Sequence, residues 1–193
     1  MFSRRTILAG IATATAYTSL AWPQPAAVPN TMESDHIRQT TAIGCLSLLV
    51  SRMATEKINI PKLREFALLE AAEQETILDV LKSLQSPSQV KGTVRPLSDA
   101  DLEAQLVPLG LQILNKMRGM EAGADFSREF FLVQSEAHQQ LLRVQEDYLK
   151  LGREPASINL AKLADGLIRE HLQLLSDIKF EMGAAGQAAG AAR

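Results

Sequence analysis

Two carboxylates stand where a helix should be apolar. At heptad spacing, residues 61–84 carry the stripe Leu63, Phe66, Glu70, Glu73, Ile77, Val80 and Leu84. Glu70 and Glu73 lie one turn apart on that face, so both point at whatever the helix packs against. A second stripe, Leu160, Leu163, Leu167, His171, Leu174 and Ile178, repeats the anomaly with an imidazole at its centre. His138 joins them from a third stretch, toward one edge of an apolar face beside Phe131 and Leu142. An ionised carboxylate in a core is costly unless it is paired, protonated or bound to a cation. Two carboxylates with one or two imidazoles form a ligand set for iron, zinc, manganese or copper. The candidate metal ligands are therefore Glu70, Glu73, His138 and His171. The competing reading is structural. There the carboxylates pair with Arg or His or reach water at the bundle edge, and His171 is a hydrogen-bonded core histidine. Gln74 and Gln134 would then complete a polar network without metal.

A di-iron carboxylate site is not written in the chain. That site needs a Glu on each of two helices and a Glu-x-x-His on each of two others. Here Glu73 occupies the place of the histidine three after Glu70, and Glu170 is adjacent to His171 rather than three residues before it. Glu33 and His36 have the right spacing but sit at the start of a helix, where ends fray.

Four long helices must position these residues. The first spans about 33–58, with Ala42, Leu46, Leu49, Val50 and Met53 facing inward and Gly44 and Ser47 allowing a close neighbour. Asn59-Ile60-Pro61 turns the chain into the second helix, 61–84, as an antiparallel hairpin. Pro87, Gly92 and Pro96 mark a loop. Ser98 and Asp101 then form a capping box on a short helix, with Leu97 and Leu102 as its staple, and Pro108 ends or kinks it. A second short segment over 109–117 completes a long crossover. Asp125 caps the third long helix, 126–151, whose stripe is Phe126, Phe130, Val133, Ala137, Leu141, Val144, Tyr148 and Leu151, and Gly152 stops it. Glu154-Pro155 opens the fourth, which runs to about residue 180. The fold class is all-α: a ferritin-like four-helix bundle with a long crossover containing short helices.

Composition narrows the function. Hydrophobic residues make up 46% of the chain and charged residues 22%, as in an ordinary globular domain. A net charge of −2 with dispersed Lys and Arg argues against nucleic acid as a partner. There is no phosphate-binding glycine loop and no nucleophile with a base and an orienting group in a known motif. Cys45, the single cysteine, reads as a small buried hydrophobe. Residues 1–21 contain Arg4-Arg5 and a short, mildly apolar run, and they resemble a twin-arginine export signal, with Ile7 where Phe is usual. That run is too short to span a membrane, so the mature chain has no membrane span. Residues 22–34 form a Pro-containing linker, 35–181 the bundle, and 182–193 a Gly/Ala tail with nothing to bury, expected to be disordered.

Three segments resemble an exported bacterial ferritin-like family catalogued as domain of unknown function four-one-four-two. They are Ala54-Thr55-Glu56-Lys57 with Leu63-Arg64-Glu65-Phe66-Ala67, Gly123-Ala124-Asp125-Phe126-Ser127-Arg128-Glu129-Phe130 with His138 beyond, and Ile168-Arg169-Glu170-His171-Leu172. The resemblance implies a periplasmic helical bundle. Gln74 stands where the family commonly has a histidine, and the Glu often found in the first helix is replaced by Leu49 or its neighbours. The leading expectation is a non-enzymatic periplasmic binding or stress- and envelope-associated protein, with an envelope partner or self-association. The alternative is a metal-binding or metal-dependent redox protein with a partial ferritin-like site.

Overall fold

The computed structural model describes residues 31–86 and 92–191, with side chains as far as Met182. Residues 1–30, which hold the export-signal expectation and residues 22–30 of the expected linker, lie outside it, while residues 31–34 of that linker belong to the first helix. Among the described residues there are six helices and no strand: α1 (Thr31–Lys57), α2 (Pro61–Gln85), α3 (Asp99–Glu103), α4 (Pro108–Arg118), α5 (Ala124–Leu151) and α6 (Pro155–Ala191). No helix among them is long and apolar enough to cross a membrane.

The boundaries follow local chemistry. Pro61 and Pro108 each open a helix at its first position, where the missing N–H costs nothing, so Pro108 begins α4 rather than merely ending α3. Ser98 caps α3 by accepting from the Asp101 amide at 3.2 Å, while its hydroxyl donates to the Asp101 carboxylate at 2.7 Å. Gly123, not Asp125, is the N-cap of α5. Its φ of 147° is a conformation that side-chain-bearing residues rarely adopt, and its carbonyl accepts from the Ser127 amide and hydroxyl. α6 stays helical to Ala191, through the stretch expected to be a disordered tail. The alanines there have the highest helix propensity of any residue, which offsets the glycines.

α1 is the central element. It packs on α2 along one side and α5 along another, with α3 and α4 laid across it, and every residue from 44 to 51 is buried. α5 packs on α6, and α6 meets α2 along a thinner seam. The Ser47 hydroxyl of α1 donates to Gln134 of α5 and the Gln145 amide of α5 donates to Thr40 of α1; the pairs run in opposite sequence order, so α1 and α5 are antiparallel. α2 and α6 are antiparallel as well: Lys62 pairs with Glu181, and Glu70 with His171. Arg52 ties the crossover down by reaching Glu75, Asp99 and the Leu97 carbonyl.

The buried stripes differ from the heptad readings in a regular way. On α2 the buried set is Leu63, Phe66, Ala67, Glu70, Gln74, Leu78 and Leu81, leaving Glu73, Ile77 and Val80 half-buried. A straight helix drifts by about 20° per heptad from a 3.5-residue repeat, and over three turns this moves the core line from Glu73 to Gln74. On α6 the buried set is Ser157, Ala161, Ala164, Ile168, His171, Leu175 and Ile178, whereas Leu163 is 75% exposed and Leu174 41% exposed. Small alanines let α6 approach α5 closely, and the leucines that the stripe favoured lie outside. On α5, Leu151 is exposed and the glutamines Gln134 and Gln145 share the buried face with Phe126, Phe130, Ala137, Leu141 and Tyr148.

Candidate metal centre

Three helices bring one polar atom each to a single point. Glu70 comes from α2, His138 from α5 and His171 from α6, each at most 2% exposed. His171 Nδ1 lies 2.8 Å from Glu70 Oε2 and 3.0 Å from His138 Nε2, which is itself 3.2 Å from Glu70 Oε2. Phe66, one turn before Glu70, walls the site, with its ring 5.9 Å from the His138 ring and 5.3 Å from the His171 ring.

Each imidazole is held from behind. His138 Nδ1 donates to the Gln134 carbonyl at 2.8 Å, one turn back along α5, which leaves Nε2 with its lone pair turned inward when the ring is neutral. His171 Nε2 lies 2.6 Å from Glu73 Oε2, an ion-pair contact outside the line of an in-plane N–H, and neither atom has a hydrogen-bond partner. Glu70 Oε1 accepts from the Ser47 hydroxyl at 2.5 Å. Gln134 Oε1 lies 2.6 Å from the same hydroxyl, which has one proton and can serve only one acceptor at a time. The Gln134 amide donates to Ser51 Oγ at 2.8 Å and to the Ser47 carbonyl at 3.2 Å.

Charge follows this geometry. Burial pushes the Glu70 carboxyl toward its neutral form, but the two imidazoles and Ser47 outweigh it and hold the group well below the usual carboxylate range. Burial likewise pushes His171 down, yet Glu70 and then Glu73 reverse it, and the net shift is upward. Glu73 is raised, chiefly by burial, with the Glu70 charge adding to it. In the metal-free protein a proton on His171 therefore sits between two carboxylates. That proton occupies the electrostatic place of a cation.

Of the four residues proposed from sequence, Glu70, His138 and His171 converge, while Glu73 meets His171 from the outer side. His138 is at the centre of the site rather than at the edge of a face. Ser47 was read only as a small residue permitting close approach, and Ser51 not at all; hydroxyls at the spacing i, i+4 on an otherwise apolar helix were the available signal. Gln134 takes part as the polar-network reading supposed, and Gln74 has no recorded bond to the cluster. Glu170 is exposed and points away. His36 is buried elsewhere: it stacks on Tyr148 at 4.0 Å and bonds Gln145 at 2.7 Å, and the eleven residues between His36 and Ser47 correspond to about 16 Å along α1. Cys45 is 1% exposed, and burial pushes its thiol up to about 12. In comparisons with known proteins, no family model, no curated protein and no solved structure matches this chain.

Proposed function

We propose that this chain is a metal-binding protein that holds one transition-metal ion on Glu70 Oε2, His138 Nε2 and His171 Nδ1. One observation carries the reading: a carboxylate oxygen and two ring nitrogens from three helices lie 2.8–3.2 Å apart in the core, with the Gln134 carbonyl behind His138 and the Glu73 carboxylate 2.6 Å behind His171. A proton on His171 satisfies Glu70 and leaves His138 Nε2 as an acceptor, whereas a metal ion would use all three atoms at once. Two imidazoles with one carboxylate is the donor set of non-haem iron(II) sites, which makes iron(II) the first ion to test. All three ligands are buried, and the role proposed is holding the ion.

The arrangement supporting this site is ferritin-like in its connectivity. Two antiparallel hairpins, α1–α2 and α5–α6, are joined by a crossover that carries α3 and α4. The resemblance to the exported family accords with that arrangement, and the paired arginines at Arg4 and Arg5 favour export of the folded, loaded protein. Replacing both arginines with lysine is expected to retain the protein in the cytoplasm; unchanged export would refute that route.

The test is anaerobic titration of the metal-free protein with Fe²⁺, Mn²⁺, Zn²⁺ and Cu²⁺, together with elemental analysis of the protein as purified without a metal-binding tag. One ion per chain is expected, lost in His138→Ala and His171→Ala and kept in His36→Ala. Absence of binding, or equal binding by His138→Ala, overturns the reading.

A further inference from the structure

We infer that Glu73 is a positioning residue for the metal site and not one of its ligands: it holds the proton of His171 on Nε2 so that Nδ1 is free for the ion. This rests on the metal-binding reading above. His171 has two nitrogens facing opposite ways. Nδ1 faces Glu70 and His138, and Nε2 forms a 2.6 Å ion-pair contact with Glu73 Oε2, neither atom having a hydrogen-bond partner. The carboxylate that holds a ligating histidine from behind selects its tautomer and makes it a stronger donor.

The two rings are not held alike. His138 is backed by a neutral carbonyl from its own helix, Gln134 O at 2.8 Å. His171 is backed by a charged group from a different helix, across the thin α2–α6 seam. Glu73 therefore holds the His171 ring from the side opposite Glu70, where α6 itself supplies no partner. It also supplies the second negative charge, so two carboxylates balance a divalent ion. Its side chain is 26% exposed, against 0% for Glu70, so Glu73 is also the member of the cluster that an entering cation meets first.

Mn²⁺ titration of the full chain, followed by the signal of the free ion, tests this against the His138→Ala control. Glu73→Ala is expected to weaken binding about 10–100-fold while one ion per chain still binds at saturation. Glu73→Gln, which keeps an acceptor without the charge, falls between, and Glu73→Asp restores most of the affinity. Unchanged affinity in Glu73→Ala makes the residue merely structural. Complete loss, as in His138→Ala, makes it a direct ligand. Either result overturns the positioning role and leaves the three-ligand site standing, whereas a wild type that binds no ion removes the site itself.

Discussion

Replacing Glu70 with alanine removes the one acceptor shared by Ser47, His138 and His171. Ser47 is not stranded, because its hydroxyl can turn to Gln134 Oε1 at 2.6 Å. The imidazoles lose more: both are buried, and although His171 Nδ1 can still donate to His138 Nε2 at 3.0 Å, His171 loses the stronger of the two carboxylates that hold its proton. Breaking a buried charged pair from one side costs about 3–5 kcal/mol. For a domain of this size that lowers the melting temperature by roughly 6–20 °C. The comparison that matters is the triple variant Glu70→Met, His138→Leu, His171→Leu. It fills the same space with apolar side chains against Phe66, returns Ser47 to Gln134, and leaves only the half-buried Glu73 carboxylate to turn to water. Replacing a whole buried ionic cluster in this way is typically neutral or stabilising, by about 1–4 kcal/mol. The triple variant should thus recover most or all of the stability lost by the single one, while binding no metal. Urea and thermal unfolding of the chelator-treated proteins at neutral pH measures both. If Glu70→Ala costs under about 1 kcal/mol, the cluster is not electrostatically coupled as described. If the triple variant is as unstable as the single one, the cluster exists to hold the fold together, and the argument that it is kept for an ion fails.

Three further outcomes follow from other parts of the core. Gly152→Ala should destabilise by about 1–3 kcal/mol, because the new Cβ would stand 2.7 Å from the Tyr148 ring, which His36 pins by stacking; a neutral effect in urea unfolding would contradict that packing. His36 is lowered chiefly by burial, so the unfolded chain binds a proton that the native state resists, and its contribution to stability is present above about pH 6.5 and is lost as pH falls toward its folded value. His36→Phe keeps a ring on Tyr148, and between pH 7 and 5 its stability should fall less steeply with acidification than that of the wild type; identical slopes would exclude His36 as the source. Cys45, with its thiol pushed up to about 12 by burial, should react with thiol reagents only at the rate of unfolding, and rapid labelling of the native protein would show that α1 opens locally.

The residue types and their periods were enough to decide that the chain is helical, where the long helices lie, and that Glu70, His138 and His171 are out of place on apolar faces. Those conclusions depend on local chemistry: proline at helix starts, a capping box at Ser98, glycine at helix ends and apolar side chains every three or four residues. Which polar residues meet was not local information. Heptad counting gave Glu70 and Glu73 equal standing, and only the accumulated rotation of a straight helix, read against α1, α5 and α6 packed around it, put Glu70 in the core and Glu73 at the rim. Ser47 carries nothing in its own sequence context to mark it as the partner of a carboxylate 23 residues away. The alanines of α6 were passed over for its leucines because hydrophobicity ranks leucine higher, whereas the space between two closely packed helices admits only the smaller side chain. A period of 3.6 tells which residues share a face. Only the distances between helices decide which of them touch.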